Sequence, residues 1–275
     1  MGKKANQVAS YSPMKPDLLL KDTDALRQRR ALLSLWGRGA MAMAGIAGMT
    51  GTGLLGLSPT LSHALSWPAR QTWTYAVEGR ASGIPYRTES SLALSLDGGR
   101  FQIVNDIRVP FMGSQIQTSS GVWTEGKGPD PRSFNDNKRK ERNAQFDPDQ
   151  GRIVFPASSL SVAWVAGVQD RISLLLALTH KCQTQGASLK AGQVWRVPVI
   201  SSSGIDTWQL ECKGQHALDL PLGHMNAWQW DRVELPAGEA ALSFWLSPQA
   251  GGGPVRLLMV QGNGDRVDQR LSKWA

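Results

Sequence analysis

The sequence predicts a mainly β protein: a curved antiparallel sheet or half-barrel with one packed helix at about residues 170–180, preceded by an N-terminal signal segment. Three patterns lead to this prediction. Hydrophobic and polar residues alternate in short runs, turn residues separate these runs, and only one stretch has helical spacing. Successive strands without helices between them are typical of antiparallel sheets.

The first 64 residues match the pattern of an export signal. A polar, basic region ends at Arg30, an uncharged apolar stretch spans residues 39–57, and Ser62-His63-Ala64 offers small residues at the positions that a signal peptidase recognises. We therefore predict cleavage after Ala64. This divides the chain into a signal at 1–64 and a single β-rich globular domain at 65–275.

The basic residues of the signal indicate the export route. Arg29 and Arg30, followed after one residue by Leu32 and Leu33, resemble the twin-arginine export motif. Six glycines weaken the apolar stretch as a permanent span, since each costs about 1 kcal/mol relative to alanine in a helix. We predict twin-arginine export to the periplasm, with general secretion as the second route. The alternative is an uncleaved N-terminal helix that anchors the protein in the inner membrane, because ~20 apolar residues suffice to span it.

The net charge of +8 belongs mainly to the signal. Residues 1–64 hold eight Lys or Arg and three Asp, which leaves the mature domain with a small excess of positive charge. A protein that binds nucleic acid through phosphates needs a basic field in its folded domain. The charge distribution therefore predicts no nucleic-acid partner, and membrane contact only through the signal segment.

The mature chain reads as a series of short strands. The first alternation is Trp73, Tyr75 and Val77, and the second, at Leu92, Leu94 and Leu96, leads into the turn Asp97-Gly98-Gly99. Further predicted strand segments are Phe101–Ile103, Ile107–Phe111, Arg152–Phe155, Val194–Ile200, Ile205–Lys213, His224–Val233, Ala241–Leu246, Val255–Gln261 and Arg266–Leu271.

Two segments depart from the strand pattern. Asp170–His180 has leucines near helical spacing and an aspartate placed to cap the helix start. Glu125–Gly151 is polar and rich in Asp, Asn, Lys and Arg, which predicts a long hairpin tip or exposed excursion. Within it, Lys138–Arg142 is a dense basic run, interpreted as a solvated loop or as a contact for anionic head groups or an acidic partner.

Cys182 and Cys212 are the only cysteines. An isolated pair in an oxidising periplasm favours a disulfide, which here would join the end of the helix to a strand. The alternative is two buried reduced thiols that never meet.

The sequence predicts no catalytic residues, no metal ligands and no cofactor. The mature histidines, His180, His216 and His224, lack the spacing of a metal site, and neither H-E-x-x-H nor G-x-S-x-G occurs. Each histidine is interpreted as a surface or structural residue.

Ten of the eleven tryptophans lie after residue 64. Because each buries a large apolar area, most are expected in the core. Trp228 and Trp230 lie two residues apart on one predicted strand and project to one face. With Trp208 and Trp245, they are the candidates to line a cleft for an apolar ligand.

Several segments, in order, resemble the exported proteobacterial family grouped as domain of unknown function 3108, over roughly residues 72–272. They are Tyr75–Gly79 with Gly83, Ser119–Gly121 with Pro131 and Phe134, Arg142 to Phe146–Asp147, Gly167–Ser173, Phe244–Pro248, Pro254–Arg256 and Gly262–Asp265. The resemblance implies export, no assigned enzymatic activity, and a fold similar to the curved half-barrels of periplasmic lipoprotein carriers, which hold acyl chains in a concave apolar face.

Three functions remain open at this stage. The first is a non-catalytic periplasmic protein that shelters a lipid or another apolar ligand. The second is a structural or interaction protein with a filled core, which docks an envelope protein partner through Glu125–Gly151. The third is an envelope hydrolase with an unrecognised carboxylate pair. An open apolar concave face would favour the first, and a face plugged by tryptophans would favour the second.

Overall fold

A computed structural model describes residues 67–110 and 113–275, all of which fall within one compact unit. These residues form fourteen antiparallel strands and one α-helix. The strands are β1 Arg70–Ala81, β2 Ile84–Asp97, β3 Arg100–Val109, β4 Gly113–Thr124, β5 Gly128–Asp136, β6 Ala144–Asp147, β7 Arg152–Phe155, β8 Leu160–Ala163, β9 Val194–Ser201, β10 Gly204–Leu220, β11 Gly223–Val233, β12 Ala241–Leu246, β13 Pro254–Val260 and β14 Arg266–Trp274. The helix, α1, spans Ser173–Gln185.

All fourteen strands belong to one sheet made of two meanders. Strands β1 to β8 follow one another outward to one edge, β14 back to β9 lead to the other edge, and the pairing of β1 with β14 joins the two halves. The two edges approach each other, since Gln169 forms a parallel bridge to Val199 of β9. The chain passes from the β8 edge to the β9 edge through α1, so the helix connects the two edge strands of the sheet.

Alternation of side chains places one face of the sheet in the core, as predicted. Trp73, Tyr75 and Val77 of β1 are at most 2% exposed, while the residues between them are exposed or half-buried. Leu92 and Leu94 continue this face on β2. A mainly β fold with one packed helix is therefore confirmed.

Helix α1 is buried around most of its circumference. Leu174, Leu175, Leu176 and Leu178 are all at most 5% exposed. A helix that is apolar on several sides is stable only inside a core. Here α1 contacts β5, and its leucines belong to one buried cluster with the inward-facing residues of the strands.

The structure corrects the prediction for Glu125–Gly151. This segment contains β5 and β6, and Phe134, Ala144 and Phe146 are at most 4% exposed. The exposed parts are the turns at residues 125–127 and 149–151 and the connection between these strands, which contains a short 3-10 helix at Lys140–Arg142. The polar composition reflects this loop and the outward strand positions, so the whole segment is not an excursion.

The predicted signal residues Arg29, Arg30, Leu32, Leu33 and Ala64 lie outside the described residues. Within the part of the chain that is described, no helix has both the length and the hydrophobicity needed to cross a membrane.

Candidate functional site

The four tryptophans predicted to line an apolar cleft do not share one open surface. Trp208 and Trp230 are 4% and 0% exposed and lie in the core, and Trp228 is half-buried. Trp245 pairs with Gln229, next to Trp230 on β11, so it lies on the opposite face of the sheet, where its indole N–H donates to the Gln229 side chain at 3.2 Å. These positions make the tryptophans mainly core residues.

Cys182 of α1 and Cys212 of β10 are both buried and are free thiols in this structure. Burial raises the pKa of the Cys182 thiol to about 12, and a charge on Cys212 acts in the same direction. The indole N–H of Trp230, which lies opposite Cys212 in the sheet, lowers the pKa of Cys182. The predicted disulfide stays a proposal.

The three mature histidines lie apart from one another. His216 and His224 are exposed, whereas His180 packs edge-on against Trp123 at a centroid distance of 5.3 Å. Burial lowers the pKa of His180. Among residues 67–110 and 113–275, no three His, Cys, Asp or Glu side chains are grouped to hold a metal ion.

The motifs that carry the family resemblance bond to one another. Ser119 Oγ donates to Asp170 Oδ2 at 2.6 Å, and Asp170 Oδ1 accepts the backbone N–H groups of Ile172 and Ser173 at 2.8 and 2.9 Å. Asp170 is 0% exposed, and burial raises its pKa against the opposing effect of these hydrogen bonds. This buried contact fixes the start of α1 to β4 and satisfies amide groups that the helix cannot pair.

Residues of two further motifs form contacts outside the core, one between two turns and one on the outward face of the sheet. The Asp265 carboxylate accepts the backbone N–H groups of Ser82 and Gly83, which ties the β13–β14 turn to the β1–β2 turn. Arg256 forms a bidentate pair with Asp268 at 2.7 and 2.8 Å and lies over the Trp245 ring. These motif residues therefore have structural partners.

The motif arginines Arg142 and Arg171 have other surroundings. Both lie in a group of side chains that we call the arginine cluster. Its members are Arg142, Arg171, Arg232, Trp208 and Glu239. The guanidinium carbon of Arg232 lies 3.9 Å from the centre of the Trp208 ring, and that of Arg171 lies 5.7 Å from it. Arg232 Nη1 pairs with Glu239 Oε2 at 2.5 Å.

Four separate parts of the fold build the arginine cluster. Arg142 comes from the loop between β5 and β6, Arg171 from the turn before α1, and Arg232 from the end of β11. Trp208 lies on β10, and Glu239 lies in the loop before β12. The cluster thus sits where the helix start meets the rim of the sheet.

The cluster holds more positive than negative charge. Burial lowers the pKa of Arg171 to about 10, and repulsion from Arg142 and Arg232 lowers it in the same direction, whereas Glu239 opposes this. The Nε atoms of Arg171 and Arg232 are buried without a hydrogen-bond partner. Such an arrangement is suited to hold an anion, because guanidinium groups match the oxygens of a carboxylate or phosphate.

The sequence pattern indicates only one member of this cluster as a basic site, Arg142, which belongs to the basic run Lys138–Arg142. Arg171 was part of a recognised motif, but it was assigned to the helix start. Arg232 and Trp208 belong to strands whose alternation predicts burial and carries no sign of a charged neighbour.

A family model described as a protein of unknown function (DUF3108) matches residues 95–271. The chain belongs to the DUF3108 family. The resemblance inferred from the motifs is thereby confirmed, and the arginine cluster lies inside the matched region. No curated protein sequence matches this DUF3108 chain.

Solved structures similar to this DUF3108 protein include three at low identity. A β-barrel-like protein of the DUF1849 family from Brucella abortus is 10% identical with a TM-score of 0.44, and the match covers 75% of this chain and 97% of that one. An outer membrane lipoprotein-sorting protein domain, described as putative, from Vibrio parahaemolyticus is 7% identical with a TM-score of 0.29, covering 75% and 85%. MucB is 9% identical with a TM-score of 0.30, covering 77% and 56%.

Proposed function

We propose that this protein is an exported, non-catalytic binding protein of the bacterial cell envelope, which engages its partner at its surface while its interior serves as a filled scaffold. The observation that carries the proposal is the packing of the concave side. Trp73, Tyr75 and Trp230 are each at most 1% exposed there, and α1 lies over the same side.

The hollows of the described surface support this choice. One of about 540 Å³ is lined by Thr74, Thr88, Glu89, Ser90, Ser91, Asp106 and Arg108, and one of about 150 Å³ by Ala217–Leu220 with Arg256, Asp268 and Arg270. Pockets for apolar ligands are lined mainly by hydrophobic and aromatic side chains. Neither of these two hollows is lined by a tryptophan, and polar or charged side chains make up most of the lining of each.

Ligand uptake tests the filled interior. We expect protein purified from periplasm to carry no fatty acid in native mass spectrometry and not to bind a fluorescent fatty acid. Leu178→Ala provides the positive control, because Leu178 is 0% exposed and truncation leaves an apolar cavity, a kind of site that takes up small apolar molecules such as benzene. Uptake of small apolar probes by the variant alone supports the proposal, whereas a fatty acid that copurifies with the wild type favours a lipid-sheltering function instead.

Export is tested separately by cell fractionation and N-terminal sequencing. We expect the periplasmic fraction to contain a chain that starts at Leu65. We expect the double variant Arg29→Lys, Arg30→Lys to remain in the cytoplasm as the uncleaved precursor. An intact Met1 in the membrane fraction would instead identify an anchored protein.

A further inference from the structure

The arginine cluster contains buried donors without an acceptor. Arg232 is 7% exposed, and although its Nη1 pairs with Glu239, its Nε has no hydrogen-bond partner. Arg171 Nε is likewise buried and unpaired. Buried polar groups in native proteins are nearly always hydrogen-bonded, so these two Nε–H groups are available to donate to the oxygen of a ligand.

The charge of the cluster indicates which anion fits. Four guanidinium groups act on one another here, those of Arg142, Arg171 and Arg232 and that of the neighbouring Arg139, whereas Glu239 is the carboxylate that pairs with Arg232, so positive charge is in excess. Two other carboxylates lie near Arg142. Asp136 is already engaged by the side chains of Gln115 and Gln117 and by two backbone N–H groups, and Glu141 is exposed to solvent.

We propose that the arginine cluster binds a phosphate monoester group or inorganic phosphate. Such a group carries about −1.5 to −2 charges at pH 7 and so offsets more of the excess than a carboxylate or a phosphodiester, which carries only one. This inference rests on the proposed function, because it names the chemistry of the partner that the surface engages.

A purely structural role predicts the opposite energetics. If the cluster served only folding, removing Arg171 would destabilise the protein. In a site that awaits an anion, the arginines repel one another, and removing one relieves that repulsion. Arg171→Gln is therefore expected to leave the melting temperature in chloride buffer unchanged or raised.

Thermal unfolding of the mature protein with inorganic phosphate tests the site, with chloride used to hold ionic strength constant. We expect the melting temperature of the wild type to rise with phosphate, since a ligand that binds the folded state stabilises it. Arg171→Gln should weaken phosphate binding about tenfold or more, because a charge-assisted hydrogen bond is lost. Arg100→Gln, which removes an exposed arginine of β3 that has no ion pair in the described structure, is the matched control and should respond as the wild type does.

A wild type that does not respond to phosphate overturns the proposal, and so does an Arg171→Gln variant that responds fully. If Arg171→Gln fails to fold, as judged by circular dichroism, Arg142→Gln in the adjacent loop replaces it and is interpreted in the same way.

Vesicles identify where the phosphate comes from. Cosedimentation with phosphatidic acid vesicles, but not with phosphatidylglycerol vesicles, would indicate a lipid-borne monoester, and a response to inorganic phosphate without vesicle binding would indicate a soluble ligand. Equal binding to both vesicles that persists in Arg171→Gln contradicts the site. Fatty-acid uptake by the wild type would contradict the proposed function while leaving this phosphate measurement interpretable.

Discussion

At the scale of single residues, the three consecutive glycines Gly251–Gly253 are explained by contacts with distant side chains. A Cβ at Gly253 would lie 2.2 Å from the Trp73 ring, and one at Gly252 would lie 2.4 Å from Gln183 Nε2. The Trp73 ring is 1% exposed and its indole N–H donates to Ala250 O at 3.2 Å, so it has no room to retreat. The glycine run allows the chain to cross directly over the core.

Gly253→Ala is therefore expected to destabilise the protein by about 1–3 kcal/mol, as overpacking of a core does. Chemical denaturation followed by tryptophan fluorescence measures the free energy of unfolding. Gly262→Ala is the matched control, since a Cβ there would have no heavy atom within 4 Å and the residue is not left-handed. Equal stability of the two variants would contradict the contact between Gly253 and Trp73.

At the scale of elements, the start of α1 depends on one buried carboxylate. Burial raises the pKa of Asp170 above its ordinary value of 3.8. A group of this kind stabilises the folded state fully below its ordinary pKa, and this contribution is lost as the pH rises through the raised value. The hydrogen bonds from Ser119, Ile172 and Ser173 offset part of the cost of the charge.

Asp170→Asn keeps an acceptor for the helix start but does not titrate. We expect the melting temperature of the wild type, relative to this variant, to fall as the pH is raised from about 4 to about 7. Asp170→Ala removes the cap as well and should cost about 0.5–2 kcal/mol at every pH. Parallel pH profiles of the wild type and Asp170→Asn would show that the buried carboxylate does not titrate as inferred.

Asp265 provides a control of opposite sign. Hydrogen bonds from the backbone of Ser82 and Gly83 lower the pKa of this carboxylate. Its contribution is therefore present above its ordinary pKa and is lost as the pH falls through the lowered value. The wild type should lose stability relative to Asp265→Asn on acidification, which is measured in the same series of melts.

Strands could be predicted from the sequence where hydrophobic residues mark the inward face. The bounds Arg152–Phe155 and Ala241–Leu246 agree with β7 and β12, and other strands differ by a few residues at their ends or, like β10, extend further. The sequence pattern does not indicate strand β4 and predicts an excursion where β5 lies, because polar residues occupy inward positions on both strands. Ser119 and Asp136 are 0% exposed, and they are satisfied by side chains that a search for alternating hydrophobic residues does not connect.

At the scale of the whole molecule, the arginine cluster could not be predicted because its members become neighbours only on folding. Arg142, Arg171 and Arg232 belong to three segments that are separate in sequence and converge when α1 crosses between the sheet edges. A period of two or of 3.6 residues identifies which face a residue occupies, but not which distant segment it meets. Only the order of strands in the sheet provides that information.

The closed interior also constrains the chemistry of Cys182 and Cys212. A thiol must ionise to attack a disulfide or an oxidant, and because burial raises the pKa of Cys182 to about 12, very little of it is thiolate at neutral pH. We propose that the two cysteines form a disulfide during folding in the periplasm, before α1 closes over them. The enclosed loop of ~30 residues would then stabilise the protein by roughly 3–4 kcal/mol.

The order of folding and oxidation tests this proposal. Protein folded in the reduced state should resist both alkylation and oxidation by glutathione disulfide, whereas the same protein refolded from denaturant with that oxidant should form the bond. Mass spectrometry after alkylation, with and without reductant, counts the free thiols, and Cys182→Ser with Cys212→Ser is the control for the effect on stability. Rapid oxidation of the folded, reduced protein would contradict the closed interior, because the thiols would then be reachable without unfolding. Two free thiols after oxidative refolding would instead show that Cys182 and Cys212 remain a reduced buried pair.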